Sequence, residues 1–117
     1  MNKPIALAVS AVVVAASLVG LSAGNASANA ACGSRAPADI DHSAYVTPLA
    51  NANIRTGSGL SCTAVGVLTT VQKADYYCYT VGYTTPYTWT YLRDVTTGKT
   101  GWVRDDNLRG DGSLVPC

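Results

Sequence analysis

Thr88-Trp89-Thr90-Tyr91-Leu92-Arg93-Asp94-Val95, followed by Thr97-Gly98-Lys99 and then by Gly101-Trp102-Val103-Arg104, is the stretch that decides how this chain folds. Strict alternation sends Trp89, Tyr91 and Arg93 to one face of a strand, and Thr90 and Leu92 to the other. Thr97-Gly98-Lys99 carries the turn chemistry that closes a hairpin. Across it, Val103 falls on the same side as Leu92, which is the core side, and Trp102 falls near Tyr91 or Trp89. Working outward, Ala52 to Arg55, Ala64 to Thr70 and Asp75 to Val81 are further short runs of β character. Thr56-Gly57-Ser58-Gly59 and the pair Gly82 and Pro86 punctuate them. Asp105-Asp106-Asn107-Leu108 reads as a short turn that drops Leu108 onto the barrel end. Five short strands with no helical run predict an all-β barrel or sandwich.

The whole chain has 117 residues, 48% of them hydrophobic and 13% charged, which suits one small folded domain. Eight Lys and Arg against seven Asp and Glu give +1, and loss of Lys3 with a leader would leave the rest neutral. That balance provides no electrostatic footprint for nucleic acid or anionic lipid. Glu and Phe are absent and His occurs once, so most acid-base and metal chemistry lacks its parts.

Residues 1–30 read as a signal peptide: Lys3, an apolar run from Ile5 to Leu21, and then small residues. Ala26-Ser27-Ala28 and Ala28-Asn29-Ala30 both satisfy the small-x-small rule for leader cleavage, and the cut after Ala30 is favoured. The run is Ala-rich and has no basic stop-transfer cluster, so the product is expected to be secreted and off the membrane. No Leu-led box precedes Cys32, which argues against a lipid anchor. Residues 31–51 read as an extended arm and residues 52–117 as the domain.

All four cysteines, Cys32, Cys62, Cys78 and Cys117, follow the proposed cut, as in a small secreted domain with two disulfides. Three pairings are open. The favoured one joins Cys62 to Cys78 across neighbouring strands and Cys32 to Cys117 at the two ends. Zinc binding would want a close Cys-x-x-Cys pair or clustered His, and neither occurs.

Asn53-Ile54-Arg55-Thr56-Gly57, Val65-Gly66-Val67-Leu68, Trp89 to Arg93, and Gly98-Lys99-Thr100-Gly101-Trp102-Val103 with Leu108 together resemble the bacterial SH3-like (SH3b) domain, in its secreted single-domain actinobacterial form. The match runs over roughly Ala52 to Leu108. Ser58 and Val71 to Ala74 stand where the family usually carries Pro and Gly, and the Thr84 to Tyr87 loop is longer than usual. The resemblance implies a small five-stranded barrel serving as a targeting or peptide-binding module, often for cell-wall peptidoglycan.

Candidate contact residues are Tyr83, Tyr87, Trp89 and Tyr91, with Arg93 able to fork a carboxylate. Amphipathic rings held on a rigid sheet offer large contact area at small entropic cost. Tyr77, Tyr79 and Trp102 are assigned instead to covering a core that has no Phe. His42, with Asp39, Asp41 and Ser43 beside it, lacks the geometry of a triad, and paired cysteines leave no thiolate, so the chain reads as non-catalytic. Asp105 to Gly112 fails as a calcium loop because Arg109 occupies a ligand position and no Glu closes it. No cofactor is expected. The reading is a monomeric secreted module binding peptidoglycan or an extracellular peptide. The alternative is a disulfide-stapled inhibitor or interaction protein that presents the Thr84 to Tyr87 loop to an extracellular enzyme.

Overall fold

The computed structural model describes residues 28–84 and 86–117. Of the leader expected over residues 1–30, residues 1–27 lie outside the described residues. Five strands form one antiparallel sheet: β1 Ala52–Arg55, β2 Ala64–Leu68, β3 Ala74–Val81, β4 Thr88–Asp94 and β5 Thr100–Arg104. Their order is β2-β1-β5-β4-β3. The all-β class and the strand positions agree with the alternation of the sequence, within a residue or two at the ends. The pairing leaves β2 and β3 as the two edges, so the sheet itself is not closed.

The β4–β5 hairpin carries the register that the turn dictates, with Tyr91 opposite Trp102 and Thr90 opposite Val103. Asp94 shapes its turn by accepting the backbone N–H groups of Thr96 and Thr97 at 2.9 and 3.3 Å. One face of the sheet then collects Ile54, Leu68, Leu92, Val103 and Leu108, all essentially inaccessible to water, with Ala52, Ala74 and Tyr76 around them. Removing this apolar surface from water is the main stabilising term of so small a domain.

A register shift between Tyr76 and Cys78 distributes the tyrosines of β3. Tyr76 pairs with Leu92 and Tyr79 with Thr90, both core-facing positions, which strict alternation could not achieve for residues three apart. The extra residue of the bulge turns Tyr77 to the opposite face, against Tyr91. Tyr76 completes its burial by donating its phenol O–H to the Arg109 carbonyl at 3.0 Å. Burial pushes this phenol well above the ordinary tyrosine range, so it stays neutral and acts as a donor.

Neither the arm nor the tail has strands of its own, yet both cover the outer edge of β3. Val46 and Ala74 exchange backbone hydrogen bonds at 3.2 and 2.8 Å, and Ile40 N–H reaches the Tyr77 carbonyl. Farther along, Tyr79 N–H donates to the Val115 carbonyl, and the Tyr79 carbonyl accepts from Cys117 N–H. An edge so occupied cannot template pairing with another chain. Arm and tail are also joined through the core: Ser113 Oγ donates to Asp41 at 2.6 Å, and Ser113 N–H donates to Thr90 Oγ1. Thr90 and Thr88 in turn donate to the two oxygens of the buried Asp105 carboxylate.

The disulfides are Cys32–Cys62 and Cys78–Cys117, spanning 30 and 39 residues. This corrects the expected pairing of Cys62 with Cys78 and of Cys32 with Cys117. β2 and β3 follow one another in sequence but sit at opposite edges of the sheet, so Cys62, just ahead of β2, is out of reach of Cys78 on β3. Each bridge instead fastens one end of the domain to the nearer edge, and by loop entropy each contributes about 4 kcal/mol.

Candidate functional site

β4 and the loop that leads into it position the candidate contact residues Tyr83, Tyr87, Trp89, Tyr91 and Arg93. Alternation does put Trp89 and Tyr91 on one face, but that face is covered. Trp89 is 3% exposed and Tyr91 8%, and with Trp102 they form a second buried cluster against which Tyr77 and Ala30 pack. Tyr91 meets the Trp102 ring edge-on at 5.3 Å between centroids, and the tilted Tyr77 ring also lies 5.3 Å from Tyr91. Such contacts add about 0.5–1.5 kcal/mol per pair beyond burial. Trp89 and Tyr91 are therefore packing residues, a correction to their reading as contact residues. Trp102 and Tyr79 are buried, as their assignment to the core requires.

Arg93 is partly exposed, with its guanidinium turned toward Asp75 at 3.5 Å. Burial, reinforced by the Asp39 carboxylate, holds Asp75 above the usual carboxylate range despite that partner. The Arg93 fork faces a carboxylate of its own chain.

Tyr83 and Tyr87 are the candidates that stand open to solvent, 47% and 39% exposed. Both are held in place. Tyr83 N–H donates to the Ser58 carbonyl, and its ring lies so close over Gly59 that a Cβ there would come within 3.1 Å of Tyr83 Cγ. Tyr87 N–H closes a turn on the Thr84 carbonyl, and the Tyr87 carbonyl accepts from Gly82 N–H. The Arg104 guanidinium covers the Tyr87 ring, 4.2 Å from its centroid. Arg104 also forks Asp106, with Nε and Nη2 at 2.8 and 3.0 Å from its two oxygens.

Arg104 and Asp106 lie outside the candidate contact residues named from the sequence. The signal was present in the hairpin register. Arg104 pairs with Trp89, so it lies diagonally across from Tyr87, within reach of a long side chain. Asp106 further lines an open concavity of about 300 Å³ shared with Leu49, Leu108, Arg109, Gly110 and Asp111. Tyr87, Arg104 and Asp106 thus form a row leading into that hollow.

Asp41 does not orient His42, which is exposed in the arm. Burial pushes the Asp41 carboxyl up, but hydrogen bonds from Ser113 and Ser43 outweigh this and hold it below the usual range. It is a fastener between arm and tail. Among the described residues no group of three or more His, Cys, Asp or Glu side chains could hold a metal ion, and no helix is long and apolar enough to cross a membrane.

Compared with family models, with curated proteins and with solved structures, the chain finds no match.

Proposed function

We propose that this chain is an exported, non-catalytic binding module of the SH3-like kind, presenting Tyr83, Tyr87 and Arg104 to cell-wall peptidoglycan or an extracellular peptide. The observation that carries the reading is the immobilised pair of exposed tyrosines on one loop, at the head of a charged row that opens into a concavity. A ring whose backbone is already hydrogen-bonded loses little entropy when a partner settles on it. Flat aromatic faces suit peptide planes and the apolar faces of sugars, while the Arg104–Asp106 pair offers both charges at the rim. The resemblance of Asn53 to Gly57 and of Gly98 to Val103 to the SH3b pattern supports the same class of partner.

Sedimentation with purified bacterial cell walls tests this. The expected result is co-sedimentation that is lost in the double variant Tyr83→Ala, Tyr87→Ala and weakened at high salt. Equal retention of the double variant and the parent protein would overturn the assignment of the loop. Unchanged turnover of soluble substrate by a muramidase or protease in the presence of the protein is the expected companion result, and slowed turnover would favour an inhibitor instead.

A further inference from the structure

Residues 28–31 are built into the domain. Ala30 N–H donates to Ser58 Oγ at 2.8 Å, and Ser58 N–H donates to the Ala30 carbonyl at 2.9 Å. Thr80 Oγ1 donates to the Ala28 carbonyl, and Gly33 N–H donates to Thr56. The Ala30 methyl packs on the Trp89–Tyr91–Trp102 cluster. Gly57 is shaped to this segment, since a Cβ there would lie 2.7 Å from the Ala30 carbonyl oxygen and 2.8 Å from the Ala31 carbonyl carbon, as well as 2.7 Å from Cys62 Sγ.

Both small-x-small triplets meet the requirement of a leader peptidase, but they leave different proteins behind. A cut after Ala30 discards the residue that pairs with Ser58. It leaves a buried hydroxyl and a buried N–H without their partner and uncovers the indoles. A cut after Ala28 keeps the whole pairing. It replaces only the Ala28 carbonyl, leaving the new amino group of residue 29 beside the Thr80 hydroxyl.

We infer that the leader is removed between Ala28 and Asn29, so that Ala30 remains in the mature chain as the cover of the tryptophan cluster. This rests on the export reading above and revises the cut favoured from sequence. Water hydrolyses the Ala28–Asn29 amide: its hydroxyl goes to the Ala28 carboxyl group, its hydrogen to the departing Asn29 nitrogen, and the C–N bond breaks.

The full-length chain with its own leader, produced in a secreting bacterial host, provides the test. Intact mass and N-terminal sequencing of the unreduced supernatant protein are expected to give residues 29–117 less the four hydrogens of two disulfides. Ala26→Leu spoils the first triplet alone and changes no residue of the described domain, so it is expected to abolish the species that begins at Asn29. A supernatant protein beginning at Ala31, unchanged by Ala26→Leu, would overturn the inference while leaving export intact. Uncleaved chain retained in the cells would overturn the export reading and this inference with it.

Discussion

Trp89 with Tyr91, and Tyr83 with Tyr87, lie within nine positions of one another and share the same side-chain chemistry, yet one pair is sealed and the other is open to water. Strand alternation cannot separate them, because Tyr87, Trp89 and Tyr91 have the same parity. What separates them is cover. Trp89 and Tyr91 sit where the chain just ahead of Cys32 crosses the sheet and where Trp102 and Tyr77 complete a ring cluster. Tyr83 and Tyr87 lie beyond the end of the paired strands, where the Tyr83 ring rests on Gly59 and the Tyr87 ring under Arg104 and both stay open to solvent. The lesson is that an aromatic face on a small sheet is a binding candidate only after the termini have been traced over it.

Three measurements probe that contrast. The largest effect is expected from Trp102→Ala, which empties the centre of the sealed cluster and should cost about 3–5 kcal/mol in chemical denaturation, enough to unfold much of the population. A cost under about 1 kcal/mol would mean that the cluster is not a second core. An intermediate loss, about 1–3 kcal/mol, is expected from Ser58→Ala, which leaves the Ala30 N–H unsatisfied. Acrylamide quenching of tryptophan fluorescence should rise with it, because the cover over Trp89 loosens. If secreted Ser58→Ala matched the parent in both respects, Ala30 would not be covering the cluster in the mature protein. The smallest change belongs to the double variant Tyr83→Ala, Tyr87→Ala, whose stability should stay within about 0.5 kcal/mol of the parent while wall retention falls. A stability loss comparable to that of Trp102→Ala would erase the distinction between the two pairs.

Legibility followed the range of the forces involved. The hairpin from Thr88 to Arg104 could be read down to individual faces, because alternation and turn chemistry act over a few residues. Leu92, Val103 and Leu108 are buried where that reading puts them. Alternation alone does not place the tyrosines of β3, since the bulge at Tyr77 breaks the period of the strand. Tyr83 and Tyr87 were legible as exposed because Gly82 and Pro86 mark a loop. Their partner Arg104 was missed because its role depends on a cross-strand diagonal. The cysteine pairing departs from expectation for the same reason, because the consecutive strands β2 and β3 are not neighbours in a sheet whose order is β2-β1-β5-β4-β3.

Residue order alone therefore determined the class of fold, the five strands, the inward positions of β4 and β5 and the presence of two disulfides. These depend on local periodicity and on the count of thiols. Only the tertiary structure decided which cysteines meet, which edge the arm and tail cover, and which of the rings on one face remain open to a partner. Each of those outcomes requires segments far apart in sequence to arrive at the same place, and no short-range pattern encodes that meeting.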